Sequence, residues 1–220
     1  MASRFFALTM AAAWSLALLA VVRPVRGGQD LDARVRAFLD SRRGQWHDLN
    51  VPEVDGKILF DTVLENKCTR ALEIGTSTGH SGIWIAWALS KTGGRLITVE
   101  IDPDRHRQAL ANFKAAGLSE YIDARLGDAH ELVPSLAGPF DFVFCDADKD
   151  WYKNYFIAVL PKMTVGGIFA AHNVFPHQRG GGTGTFVEYV ESLRDVETTF
   201  PPDSSGGISL SVKLGSGRLK

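Results

Sequence analysis

Apolar side chains return at Leu31, Val35, Phe38 and Leu39, marking one face of a helix behind Asp30. Ile58, Leu59, Thr62 and Val63 mark a second helix after Gly56. From residue 71 the pattern changes. Ala71-Leu-Glu-Ile74 reads as a short buried strand running into Gly75, Ser81 to Leu89 as an apolar helix closed by Gly93-Gly94, and Arg95 to Val99 as a second strand. Asp102-Pro103 supplies an N-cap followed by proline at the first helical position, where the missing N–H is no loss, and Gly117 closes that helix. A third strand is expected near Tyr121 to Arg125, a fourth over Phe140 to Cys145, a helix over Tyr152 to Leu160 and a fifth strand over Gly167 to Ala171. Strands alternating with helices predict an α/β fold: a Rossmann-like, doubly wound, mostly parallel seven-stranded sheet covered on both faces. The tail departs from this rhythm. After a helix over Phe186 to Leu193, the runs Val196 to Phe200 and Ile208 to Leu214 flank a Pro-Pro-Asp-Ser-Ser-Gly-Gly turn and predict an antiparallel pair at the sheet edge.

At 220 residues the chain suits one domain, here 29–220. A formal net charge of -1 gives no electrostatic footprint for nucleic acid, which is excluded as the favoured partner. Residues 5–22 carry no charge and lie between Arg4 and Arg23, so 1–28 reads as an export signal or a membrane anchor. Arg23, Arg26, Arg34 and Arg36 follow the stretch while Arg4 precedes it, a bias toward an anchored form with the domain facing the cytoplasm; the alternative is export after cleavage. Cys68 and Cys145, the two cysteines, fall at opposite ends of neighbouring strands, roughly 15 Å apart at about 3.3 Å per residue, and are expected as free thiols.

In an open α/β sheet ligands collect beyond the strand ends, where the connection order reverses. The residues there are Glu73 to Ser81, Glu100, Gly127 to Ala129, Asp146 to Lys149 and His172-Asn173. Glu73-Ile-Gly75-Thr-Ser-Thr-Gly79-His-Ser81 combines glycines that allow close backbone approach with amide donors at a helix start. By itself it is a nucleotide site or an ordinary glycine turn. Glu100 can accept hydrogen bonds from both hydroxyls of a ribose, or be a solvated strand-end acid. Asp128 can meet an adenine amino group, or be a loop acid. Five such positions at five successive strand ends point together to a ligand site.

These segments resemble the O-methyltransferase family that includes caffeoyl-CoA and catechol O-methyltransferases. The resemblance runs from about Val51 to Lys213. It is carried by Leu72-Glu-Ile-Gly-Thr-Ser-Thr-Gly-His-Ser81, Glu100-Ile-Asp-Pro, Phe142-Val-Phe-Cys-Asp-Ala-Asp-Lys149 with Tyr152, and Gly166-Gly167 leading to His172-Asn173. It implies S-adenosylmethionine as cofactor, with Glu73, Gly75 and Thr76 on its methionine and ribose side, Ser81 near the carboxylate, Glu100 on the ribose, Asp128 and Ala129 around the adenine, Val51 on a covering loop and Asp146 at the methyl end. It also implies a small-molecule acceptor, catechol-like, and often a homodimer; residues 5–22 add a membrane contact. The absence of Gly-x-Gly-x-x-Gly argues against a nicotinamide dehydrogenase.

Metal-dependent members of the family hold a divalent ion that chelates two adjacent hydroxyls and stabilises the phenolate. On this chain Asp146 matches the carboxylate ligand, Asn173 the amide ligand and Lys149 the proton-accepting lysine. His172 departs from the pattern, which has aspartate there. A neutral imidazole removes one negative charge and offers a softer donor, so manganese, iron or zinc would be favoured over magnesium. Alternatively His172 is a general base with no metal, or a strand-end hydrogen-bonding residue. Loss of chemistry through this change, leaving a protein that only binds the cofactor, is the rival reading. His80 is either a surface residue or a ligand; Trp84 and Trp87 read as core; Trp151 reads as an aromatic wall for the acceptor, and Gly180 to Gly184 as a lid or a connector.

Overall fold

The computed structural model describes residues 27–47 and 49–215. The apolar segment 5–22 lies outside the described residues; among those described, no helix is long and apolar enough to cross a membrane. The elements are α1 (Gly27–Ser41), α2 (Glu53–Glu65), β1 (Arg70–Ile74), α3 (His80–Thr92), β2 (Arg95–Glu100), α4 (Pro103–Ala116), β3 (Ile122–Leu126), α5 (Ala129–Ser135), β4 (Phe140–Cys145), α6 (Tyr152–Val159), β5 (Met163–His172), α7 (Gly182–Ser192), β6 (Val196–Thr199) and β7 (Ile208–Lys213). The strands form one sheet in the order β3-β2-β1-β4-β5-β7-β6. β1 to β5 run parallel, and β7 runs antiparallel to both β5 and β6. The fold is the mostly parallel, doubly wound sheet with an antiparallel C-terminal pair that the alternation of strands and helices predicts.

The sheet is buried on both faces because its side chains alternate between two cores. On β4, Phe142 and Phe144 pack with residues of α1 to α4, whereas Val143 and Cys145 pack with residues of α5 to α7. Each fully buried phenylalanine contributes about 1.5–3 kcal/mol. Helix ends follow local chemistry. Asp102 caps α4 by accepting from the backbone N–H of Asp104 (2.8 Å) and Arg105 (3.0 Å), and Gly93 and Gly117 close α3 and α4 in the left-handed conformation.

Several boundaries differ from expectation. α1 begins at Gly27, before Asp30, and α2 begins at Glu53, so Gly56 lies inside it. That glycine is needed for packing: a Cβ there would run into the Trp84 ring on α3. α5 was not anticipated, because it spans seven residues, contains Pro134 and is too short to show a period. β5 starts at Met163, before the expected Gly167; its register against β4 shifts between Phe140 and Phe142, and Thr164 to Gly166 are exposed, so only the later half is a regular buried run. α7 starts at Gly182, four residues before the first apolar position. Cys68 and Cys145 are free and buried, as expected; burial pushes the Cys68 thiol up to about 12 and raises Cys145 as well.

Candidate active site

From β1 the chain builds the sheet outward through β2 and β3, then returns to place β4 on β1's other side. The crevice this reversal opens is a cavity of about 650 Å³, within the usual range for small-molecule sites. Gly75, Glu100, Asp128, Ala129, Asp146, Lys149, His172 and Asn173 all line it. Gly75 is required by close approach: its φ is +95°, and a Cβ would stand 2.6 Å from the Asp146 carbonyl oxygen across the crevice.

The Glu100 carboxylate accepts from the backbone N–H of Ser77 (2.7 Å), Ile101 (3.0 Å) and Asp102 (2.9 Å), which ties the loops after β1 and β2 together. A carboxylate offers about four acceptor positions, so these bonds are compatible with ribose recognition. Asp128 is the N-cap of α5, accepting from the His130 N–H at 2.8 Å.

Val51, Glu73, Thr76 and Ser81 are buried but are not among the residues lining the cavity. Glu73 Oε2 accepts from the Thr98 hydroxyl at 2.6 Å and from Ser81, while Oε1 is buried without a partner. Burial pushes this carboxyl up to about 8; the Ser81 and Thr98 hydrogen bonds oppose the rise, and the charges of Asp146 and Glu100 add to it. The Thr76 hydroxyl pairs with that of Thr98. The Val51 carbonyl accepts from His80 Nδ1 at 2.9 Å, and His80 Nε2 accepts from Trp84 Nε1 at 3.0 Å. His80 is therefore neither a surface residue nor a cavity ligand but a core histidine, and burial holds it down at about 4 against the Val51 bond. Trp84 and Trp87 are core residues, as read.

The sequence reading missed the wall opposite. His130 and Tyr155 line the cavity, whereas Trp151, expected as the wall itself, stacks behind His130 with ring centroids 3.7 Å apart. His130 Nε2 lies 3.1 Å from Asp148 Oδ2, and the Tyr155 hydroxyl donates to Asp148 Oδ1 at 2.7 Å. Asp128 followed three residues later by Glu131 is a capping pattern that would have revealed α5 and placed His130 in its first turn. Ser77, within the segment from Glu73 to Ser81, lines the cavity too, as do Asn50 and Arg105, which carried no local signal.

At the ends of β4 and β5 lies a hydrogen-bonded array. Lys149 Nζ donates to Asp146 Oδ1 (2.6 Å) and to the Tyr152 hydroxyl (2.7 Å). His172 Nδ1 stands 3.2 Å from Asp146 Oδ2, and its Nε2 stands 3.0 Å from Asp55 Oδ2. Burial, the largest influence on His172, pulls its pKa down, but the bonds and charges of Asp146 and Asp55 outweigh it and the net shift is upward.

In this arrangement the side chains expected to hold a divalent ion are paired with neighbouring groups. Both His172 nitrogens face carboxylates, both Asp146 oxygens are engaged, and the Asn173 side-chain N–H donates to the Gly206 carbonyl at 3.2 Å. Among the described residues no three His, Cys, Asp or Glu side chains are grouped to hold a metal. Manganese, iron or zinc on Asp146, His172 and Asn173 would have to displace these contacts, because the imidazole is held between two carboxylates.

This strand order, with a glycine-cradled crevice and acids at successive strand ends, defines a class I S-adenosylmethionine-dependent methyltransferase. The chain belongs to the O-methyltransferase family, whose sequence model matches residues 34–180. It is 45% identical over 151 residues to a catechol O-methyltransferase of Niastella koreensis, covering 67% of this chain and 68% of that one. It is 38% identical to a catechol O-methyltransferase of Mycobacterium tuberculosis, covering 70% and 68%. Among solved structures it resembles an O-methyltransferase from Bacillus cereus in complex with S-adenosylhomocysteine (TM-score 0.68, 25% identity, 88% of this chain and 93% of that one). It also resembles the S-adenosylmethionine complex of the O-methyltransferase TomG from Streptomyces achromogenes (TM-score 0.66, 27% identity, 89% and 93%). The protein is an S-adenosylmethionine-dependent O-methyltransferase.

Proposed function

We propose that the enzyme methylates one hydroxyl of a small catechol-like acceptor, with Lys149 and His172 assisting its deprotonation. The observation that carries this reading is the array in which Lys149 Nζ and His172 Nδ1 flank the Asp146 carboxylate on the wall of the same cavity as Gly75 and Glu100. The cofactor, when bound, supplies an electrophilic methyl group. The chain has to hold a nucleophilic oxygen in line with it and lower that oxygen's proton affinity. Lys149 Nζ donates to the oxygen as its negative charge develops, and His172 with Asp146 provides the route by which its proton leaves. His130 and Tyr155 supply an aromatic side to the cavity, suited to a flat acceptor. The resemblance to two catechol O-methyltransferases supports an acceptor with adjacent hydroxyls.

The test is turnover of a panel of catechols and monophenols, followed by mass spectrometry, with and without a chelator. Methylated catechols with the chelator present are expected. Turnover that vanishes with chelator and returns with manganese would show that an ion displaces the His172 contacts, and failure of every catechol would reject the acceptor class. For location, the reading is an anchored enzyme facing the cytoplasm; a cytoplasm-only reporter fused to Lys220 would be active. An inactive reporter with a mature N-terminus near Gly28 would favour export.

A further inference from the structure

His172 closes β5, and a buried carboxylate stands behind it. Asp55, on α2, is wholly buried and accepts four hydrogen bonds: from Ser204 Oγ (2.8 Å), Ser205 N (3.0 Å), Gly206 N (2.8 Å) and His172 Nε2 (3.0 Å). Three of these donors belong to the turn between β6 and β7, which lies beside His172 because β7 pairs Ile208 with His172 on β5. The turn has no slack: a Cβ on Gly206 would press on His172 Nε2 and come within 2.6 Å of Asp55 Oδ2.

This geometry decides which edge of the ring faces the reaction. Each Asp55 oxygen already accepts a backbone N–H, so both are acceptors, and Nε2 must carry a proton to bond there. The Nδ1 edge then points toward Asp146 Oδ2 and the cavity. We propose that Asp55 is a positioning residue for methyl transfer: with the 204–206 turn it clamps the Nε2 edge of His172 and fixes the ring so that Nδ1 faces Asp146. The proposal rests on the reading of His172 given above and adds a residue from a distant element, one that does not line the cavity.

The test is a double-mutant cycle of Asp55→Ala, His172→Ala and the double variant, with kcat, acceptor KM and calorimetric S-adenosylhomocysteine affinity measured for each. In Asp55→Ala kcat is expected to fall roughly tenfold or more, with cofactor affinity within about twofold, and the double variant to fall no further than His172→Ala. An Asp55→Ala kcat within about twofold of wild type, or losses that multiply in the double variant, would overturn the proposal. Should Asp55→Ala not fold, Gly206→Ala, whose Cβ would enter the contact between His172 Nε2 and Asp55 itself, takes its place and the same readings decide. Nitrogen NMR of ring-labelled histidine in the wild-type enzyme needs neither variant nor turnover: Nε2 is expected protonated, and an unprotonated Nε2 overturns the clamp. Wild-type failure with every catechol would count against the acceptor reading and leave the NMR result standing.

Discussion

Glu100 closes β2 and holds three backbone amides while also facing the cavity, so its removal should be felt in both the loops and the ligand. Glu100→Ala is expected to weaken cofactor binding by about 1.5–3 kcal/mol, the range for losing hydrogen bonds to a charged group. Calorimetry with S-adenosylhomocysteine checks it, and unchanged affinity would make Glu100 a loop clasp alone. Residues such as Glu100, Asp128 and Asp146 were legible in the sequence because the strand end is itself a local signal: the apolar run stops and the next polar side chain faces the crevice. Asp55 was not legible. It sits inside a helix far from its partners, and nothing in the neighbouring residues says that a turn near residue 205 and a histidine at 172 will converge on it. His130 was passed over because α5 is too short to show a period and is marked only by the capping pattern of Asp128 and Glu131.

Between elements, the contact of α2 with α3 governs how the N-terminal part of the chain meets the sheet, and it turns on one missing methyl group. A Cβ at Gly56 would enter the Trp84 ring, whose Nε1 is held by His80 and which is itself buried. Gly56→Ala, which in an exposed helix would stabilise by about 1 kcal/mol, is therefore expected to destabilise by about 1–3 kcal/mol through overpacking, measured as a lower urea midpoint. A midpoint that rises would show that Trp84 has room to move. The sequence reading took Gly56 as a helix start because glycine usually punctuates. Burial against a tryptophan on another helix is a tertiary reason that no local pattern carries. By contrast β1, β2 and β4 were read correctly because a strand buried on both faces must be apolar throughout, and the C-caps at Gly93 and Gly117 because only glycine takes their left-handed backbone without strain.

Across the molecule, two buried titratable groups pull stability in opposite directions with pH. His80, held at about 4 against an ordinary 6.5, stays neutral in the fold while the unfolded chain takes up a proton, so stability is full above about 6.5 and is lost as pH falls toward 4. Glu73 works the other way. Its carboxyl, raised to about 8 from an ordinary 4.5, stays protonated in the ligand-free fold while the unfolded chain ionises, so its contribution is full below about 4.5 and is lost as pH rises to 8. Within either window each pH step costs about 1.4 kcal/mol. Glu73→Gln keeps the shape and removes the titration. The variant is therefore expected to gain thermal stability over wild type progressively from pH 5 to pH 8, and to show little difference at pH 4.5, in melting curves of the ligand-free protein. A variant no more stable at pH 8 would mean that Glu73 ionises in the fold as readily as in the unfolded chain. The same samples test why an orphaned carboxyl oxygen is kept at such a position: if Glu73 recognises the cofactor, S-adenosylhomocysteine affinity falls in Glu73→Gln as stability rises, whereas unchanged affinity would assign the carboxyl to the Ser81 and Thr98 contacts alone.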